Sequence, residues 1–345
     1  MNRSTIQRVV VTGATGNVGT SLVRALAADP GVGSVLGLAR RRPGLELPGV
    51  EWAELDLSLD QDAPRLARYV ADADAVVHLA WRFGPTRDPV TTWETNVLGA
   101  VRVFDAVAAA RVPALVYASS VGAYSPGPKG DAPVSEAWPT HGWPGAAYTR
   151  EKAYLERVLD TFERDHPLIR VVRMRPAFLF KEESASEQRR IFAARFFPGQ
   201  LMRPELLPVL PEFDGLRFQV LHTEDAADAY RRAVLRDVRG AFNLAAEPVL
   251  DGAALGELFH AHPVRVPAGA VRGALAAAWR LRLVSASPGL FDAVRHIPLL
   301  ATERARRELG WEPSHTSLEA LEAFLRGVRA GAGDDTAPLT GHRVG

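Results

Sequence analysis

A tyrosine and a lysine four residues apart, in Tyr148-Thr149-Arg150-Glu151-Lys152, form the pair best suited to move a proton. On a helix the i and i+4 side chains share a face, so the phenol and the ammonium would be neighbours. A phenol titrates near pKa 10 and is a poor acid–base catalyst at neutral pH until a nearby cation stabilises the phenolate. The chain carries only Lys129, Lys152 and Lys181 as lysines, nearly all its basic charge being arginine, so each lysine merits a question whereas an arginine cluster says little. Six tyrosines and three lysines give this spacing by accident about one time in twenty. The plainer alternative is a surface lysine packed on a tyrosine ring.

A second feature is Val11-Thr12-Gly13-Ala14-Thr15-Gly16-Asn17-Val18-Gly19. Glycines at this spacing let the chain turn tightly, let a pyrophosphate approach the backbone, and let a helix pack closely on a strand. The helix start then offers free N–H groups and partial positive charge to phosphates. A third is Ser119-Ser120 at the end of a strand-like run. A hydroxyl there could bond a substrate carbonyl, or could merely satisfy the loop backbone.

These residues need elements to hold them. Strand-like runs fall at Arg8–Thr12, Ser34–Ala39, Asp74–Leu79, Ala114–Ser119 and Ile169–Arg173, with helical patterns near Asn17–Ala28, Asp62–Val70, Pro89–Arg111 and Ala146–Asp165. Strands alternating with helices of this length predict βαβ units and a parallel sheet. Their continuous Val/Leu/Ile character fits a sheet covered on both faces. From Pro176 the rhythm breaks into proline- and Arg/Phe-rich segments, with one βα unit returning at Phe218–Ala233 and a strand at Ala241–Ala245. The expected division is a sheet domain over 1–175 that also takes in the strand and helix near 216–245, a substrate-binding portion over 176–330, and a frayed tail over 331–345.

The 345 residues are 47% hydrophobic and 23% charged, which is globular composition. The absence of cysteine excludes disulfides, thiolate metal sites and a cysteine nucleophile, and no metal is expected. With 41 basic against 40 acidic residues, the net charge of +1 predicts neither nucleic acid nor membrane as a partner. A strand-like run begins almost at once, at Arg8, and no stretch approaches the ~20 apolar residues of a membrane span. A cytoplasmic protein acting on a small molecule is the expectation.

Taken together, the glycine fingerprint, Asp56-Leu57, His78-Leu79-Ala80, Thr95-Asn96-Val97, Ser119-Ser120, the Tyr148/Lys152 pair, Arg175-Pro176 and His222-Thr223-Glu224-Asp225-Ala226 resemble the extended short-chain dehydrogenase/reductases, the NAD-dependent epimerase/dehydratase-like branch. The resemblance spans roughly residues 8 to 328. It implies an α/β fold, a Rossmann-type doubly wound parallel sheet with helices on both faces and a smaller, irregular C-terminal portion. It implies that Gly13, Thr15, Gly16, Asn17, Val18 and Gly19 surround the cofactor pyrophosphate, that Asp56 and Leu57 border the adenine, and that Leu79 and Ala80 lie along the cofactor. Ser120 and Tyr148 would bind the reacting oxygen, Lys152 would also bond the nicotinamide ribose, and Asn96 would support the site from its helix. His222 is read as structural.

Three chemistries compete: a carbonyl reductase or alcohol dehydrogenase, an epimerase or dehydratase of nucleotide sugars, and a non-catalytic nucleotide sensor. Sensors of this type usually lack the Tyr/Lys pair, and Val121-Gly122 after Ser120 replaces the acidic pair of the dehydratases. An epimerase needs arginines for a second pyrophosphate; Arg189, Arg190, Arg195 and Arg217 are candidates in an arginine-rich chain. Aromatic residues near the expected cleft (Trp81, Phe83, Trp138, Trp143, Phe178, Phe196, Phe197) suit an apolar substrate, or serve the core. The reading favours a reductase or dehydrogenase, with the epimerase as its alternative. The second strand runs into Ala39-Arg40-Arg41-Arg42 without the acid that selects NAD, so NADP(H) is favoured over NAD(H) with Arg40 or Arg41 taking the 2′-phosphate. A homodimer through the helices near 96–110 and 146–164 is a further expectation.

Overall fold

The computed structural model describes residues 6–83, 87–128, 130, 132–192 and 209–341. Its first strands are β1 (Ile6–Thr12), β2 (Val32–Ala39), β3 (Val50–Glu54), β4 (Ala75–His78), β5 (Ala114–Ala118) and β6 (Arg170–Pro176). Short strands follow: β7 (Phe178–Phe180), β8 (Val209–Glu212), β9 (Arg217–Phe218) and β10 (Val220–His222). Then come β11 (Gly240–Leu244), β12 (Leu250–Asp251) and β13 (His262–Arg265). Seven of them form one sheet in the order β11-β6-β5-β4-β1-β2-β3, every pair parallel. The order reverses between β1 and β4, and ligands of open α/β sheets bind at such a switch point, outside the strands' carboxyl ends. This is the Rossmann-type sheet the sequence led us to expect.

The helices are α1 (Asn17–Ala27), α2 (Ala63–Val70), α3 (Pro89–Thr92), α4 (Gly99–Ala110), α5 (Ala147–Asp165) and α6 (Ala185–Phe192). A π-helical turn, Trp93–Leu98, joins α3 to α4. Beyond them lie α7 (Thr223–Leu235), α8 (Gly252–Phe259), α9 (Ala268–Arg280), α10 (Pro288–His296) and α11 (Ser317–Ala330). Alternate residues of a strand face opposite sides, and in β1 both sides are covered. Val9 and Val11 pack with α1, α7 and Trp311, while Val10 packs with Leu66, Phe104 and Leu155 from α2, α4 and α5. That double cover explains the unbroken apolar runs. Edge strand β3 was not among the expected strands, because Glu51 and Glu54 are exposed and its pattern is not a continuous apolar run.

The C-terminal end differs from expectation. Helix α11 opens on a capping box, with Thr316 accepting from Glu319 N–H and Glu319 from Thr316 N–H, and closes at Gly331 with φ +63°. Residues 331–341 then fold back onto the body instead of fraying. Leu339 is fully buried, Arg24 pairs with Asp334 at 2.8 Å, and the Thr336 hydroxyl donates to the Thr15 carbonyl at 2.9 Å. A Cβ on Gly333 would lie 2.1 Å from the Gly341 nitrogen, so glycine permits the close return that a Gly/Asp/Thr-rich composition disguised as a tail. Lys181 is buried near this strap, donating to the hydroxyls of Thr20 at 2.8 Å and Ser21 at 3.1 Å. Among the described residues no helix is long and apolar enough to cross a membrane.

Candidate active site

The glycine loop sits at the carboxyl end of β1. Gly13 has φ +68°, and a Cβ there would meet the Ala80 nitrogen at 2.5 Å; one on Gly19 would meet the Gly13 carbonyl at 2.2 Å. Gly16 precedes α1 with no side-chain cap, so no protein side chain competes for the N–H groups of the first turn. A Cβ-free cradle leading into an uncapped helix start fits a dinucleotide pyrophosphate. Thr15 is buried, its carbonyl held by Thr336, and Val18 is half-buried. The Asn17 side chain is committed to the framework, donating to the Leu179 carbonyl at 3.3 Å and accepting from the Thr223 hydroxyl at 3.1 Å. From this residue only the backbone is left to face a phosphate.

The other expected cofactor residues line the same edge. Leu79 and Ala80 follow β4, tied to Thr12 through its carbonyl at 3.1 Å and its hydroxyl at 3.4 Å. Asp56 and Leu57 follow β3, with the Asp56 carboxylate accepting the N–H and hydroxyl of Ser58 at 2.9 and 2.7 Å. Arg40 and Arg41 are exposed just past β2. Glu54, which the sequence reading did not weigh, stands opposite Ala39 in the strand pairing, and its carboxylate accepts the Arg42 N–H at 3.2 Å.

Helix α5 brings Tyr148 and Lys152 beside Ser120. Burial pushes the Tyr148 phenol up to about 12, only partly offset by a hydrogen bond with Ser120. Burial pulls the Lys152 ammonium down to about 7, against the pull of Glu156 and Glu151. Its Nζ donates to the Ala118 carbonyl at 2.6 Å and lies 3.5 Å over the Trp81 ring. The ammonium thus faces a carbonyl and an indole, and the phenol stays neutral. Trp81 and Phe83 meet Tyr148 edge-on at 5.8 and 4.9 Å, and a Cβ on Gly122 would come within 2.8 Å of its ring. These contacts hold the ring in place.

Asn96 projects from the π-helical turn and is fully engaged in the framework. Its Oδ1 accepts the Arg82 N–H at 2.7 Å, and its Nδ2 donates to the Arg82 carbonyl at 3.2 Å and to Glu151 at 2.8 Å. Thr92 donates to the other Glu151 oxygen at 2.6 Å. Glu151 is the residue the sequence reading overlooked, although its i+3 spacing from Tyr148 places it on the same helix face. Deeper still, Glu156 is fully buried and accepts from Ser119 at 2.6 Å, Arg175 at 2.8 and 2.9 Å, and Arg173 at 3.0 Å. Burial pushes its carboxyl up, but Arg175, Arg173 and Ser119 outweigh burial and hold it down at about 2. His222 caps α7 through its Nδ1, as a structural role requires.

A cavity opens beside Tyr148, lined by Trp81, Arg82, Phe83, Thr92, Asn96, Ala146, Ala147, Glu151, Ser287 and Leu290. Of the aromatic residues expected there, Trp81 and Phe83 reach it; Trp138 and Phe178 pack in a separate apolar cluster, and Trp143 stacks on His296. Phe196, Phe197 and Arg195 lie outside the described residues, as do the side chains of Arg189 and Arg190. Arg217 is engaged, donating to the Ile297 carbonyl at 3.2 Å.

Known proteins share this architecture. A Thermus thermophilus UDP-glucose 4-epimerase solved with NAD superposes with a TM-score of 0.68 at 20% identity, covering 94% of this chain and all (100%) of that one. A dTDP-glucose 4,6-dehydratase from Streptomyces venezuelae, with NAD bound, gives 0.68 at 19% identity over 93% of this chain and 97% of that one. At such identities the likeness establishes the fold. An uncharacterised protein of Mycobacterium tuberculosis is 24% identical over 326 residues, 92% of this chain and 83% of its own length. An L-arabinose 1-dehydrogenase (NAD(P)(+)) of Haloferax volcanii is 38% identical over 113 residues, 33% of this chain and 41% of that protein. Residues 9–245 match the model of the NAD dependent epimerase/dehydratase family, and with that match, the parallel sheet and the glycine cradle in agreement, the chain belongs to this family.

Proposed function

We propose that the protein is an NAD(P)-dependent carbonyl reductase or dehydrogenase with Tyr148 as its acid–base group. The observation that carries this reading is the cavity wall: Trp81, Phe83, Ala146, Ala147 and Leu290 form its apolar side, while the polar Thr92, Asn96 and Glu151 are tied to one another, leaving Arg82 and Ser287 as its other polar residues. Such a wall suits an apolar or aromatic carbonyl compound better than a charged diphosphate. The state of Tyr148 is compatible with the reductive direction. A phenol held at about 12 is protonated at neutral pH and ready to give its proton to a developing alkoxide. The dehydrogenase likeness over 113 residues is consistent with the proposal.

When bound, the nicotinamide supplies or accepts the hydride. The chain's own residues do the rest: Ser120 and Tyr148 hold the reacting oxygen, Tyr148 exchanges its proton, and Lys152 uses its remaining N–H groups toward the ribose. Trp81 and Phe83 keep water from the reacting oxygen. Arg40 and Arg41 take a 2′-phosphate, which makes NADP(H) the favoured cofactor. A homodimer through α4 and α5 accounts for the exposed Trp93, Leu98 and Tyr154 on neighbouring surfaces. The test incubates the pure protein with NADPH and either a panel of aryl ketones or UDP-glucose. Loss of the reduced-cofactor absorbance with ketones supports the reductase; conversion of UDP-glucose to UDP-galactose without net cofactor loss establishes the epimerase instead.

A further inference from the structure

The charge balance of the whole chain hides a local segregation. From Leu258 to Phe291 no aspartate or glutamate occurs, while Arg265, Arg272, Arg280 and Arg282 do. Arg272 is paired with Asp292 at 2.8 Å, but Arg265, Arg280 and Arg282 form no ion pair among the described residues. This stretch runs from the end of α8 through β13, which carries Arg265, to α9, its turn and the start of α10, and α9 contains no buried residue. At the turn, Trp279-Arg280-Leu281-Arg282-Leu283 leaves Leu281 70% and Leu283 53% exposed, with Arg282 in the left-handed region at φ +61°. Arg87 lies over the Trp279 ring at 4.1 Å and ties the α9 end of the turn to the body.

Leucines this exposed are an apolar patch with a purpose to be found. Their alternation with arginines says what covers them. Arginine also occurs in protein interfaces and is common in this chain, but a long stretch without acids, with unpaired cations interleaved among leucines, is the pattern a bilayer surface receives, apolar side chains and cations at adjacent depths. The cations would meet anionic headgroups as the leucines enter the acyl boundary, each arginine adding to the attraction. We propose that the turn between α9 and α10 is a docking surface for an anionic lipid bilayer. The turn leads into Ser287, the N-cap of α10, and Leu290 in its first turn, both in the wall of the cavity beside Tyr148, so docking brings that wall close to the lipid surface. The inference does not depend on which reaction the site performs.

Flotation of the full chain with vesicles tests it. Vesicles of phosphatidylcholine with phosphatidylglycerol should carry the protein at low salt, and vesicles of phosphatidylcholine alone should carry at least tenfold less. Raising salt to about 1 M, which shortens the screening length to about 3 Å, should release it. The double variant Arg280→Glu/Arg282→Glu should lose flotation at least tenfold, and Leu281→Ser/Leu283→Ser should lose most of it, both with unchanged circular dichroism and cofactor binding. No flotation with anionic vesicles, or flotation that survives the charge reversal, overturns the proposal. So does self-association of the chain that the leucine variants abolish while vesicles recruit nothing.

Discussion

Replacing Glu156 by glutamine removes one charge from the buried knot under the active site. The carboxylate has no exposure and receives both arginines and Ser119 at 2.6 to 3.0 Å. Its carboxyl lies at about 2 against an ordinary 4.5, a difference that converts to ~3 kcal/mol. The neutral amide would also leave Arg173 and Arg175 short of a counter-charge, and breaking a buried ion pair from one side costs about 3–5 kcal/mol. At roughly 2–4 °C per kcal/mol for a chain of this size, melting should fall by roughly 6–12 °C. The sign with pH is fixed, since a carboxyl depressed in the folded state stabilises fully above its unfolded value. That contribution fades as pH falls from about 4.5 toward about 2. The gap between wild type and Glu156→Gln in thermal melts should therefore narrow by about 40% near pH 3.5. A melting change below about 2 °C, or a gap that does not narrow in acid, would refute the reasoning.

Tyr148→Phe should lower turnover by about 10²–10⁴ with cofactor affinity nearly unchanged, read by steady-state rates and by quenching of tryptophan fluorescence on titration. Lys152→Ala should lower turnover and also weaken cofactor binding; equal affinity in the two variants would remove Lys152 from the ribose. NADP(H) should bind at least tenfold tighter than NAD(H) by calorimetry, with Arg40→Ala erasing most of that preference; indifference to the substitution would assign the arginines to solvent. Ending the chain at residue 330 removes the Thr336 bond to Thr15 and the Asp334 pair with Arg24, and should weaken cofactor binding several-fold with Tyr148 untouched. A truncated chain that binds normally would make the strap irrelevant to the loop.

The parallel sheet was legible because its strands are buried on both faces, so their apolar runs stand out without any partner being known. The glycine loop was legible because close approaches leave room for no Cβ at Gly13 or Gly19. What sequence did not show depends on distant chain. β3 is a polar edge strand, recognisable only once β2 lies beside it. The strap at 331–341 is held by Thr336 on Thr15 and Asp334 on Arg24, more than three hundred positions earlier, beyond any local pattern. Glu151 stood inside the Tyr148 motif, yet its role comes from Asn96 and Thr92 on another helix. The setting of Tyr148 is likewise a tertiary effect: spacing puts a lysine one helical turn away, while burial raises the phenol and lowers the ammonium.

The central claim is hydride transfer to a carbonyl with Tyr148 supplying the proton, and isotope transfer tests it most directly. The pure protein is given NADPH carrying deuterium at its transferable position together with the aryl ketone panel, and products are read by mass spectrometry. The account predicts one deuterium in each carbinol, one cofactor consumed per product, and turnover reduced about 10²–10⁴ in Tyr148→Phe. Interconversion of UDP-glucose and UDP-galactose with no net cofactor consumption, or carbinol formed at the wild-type rate by Tyr148→Phe, would contradict it.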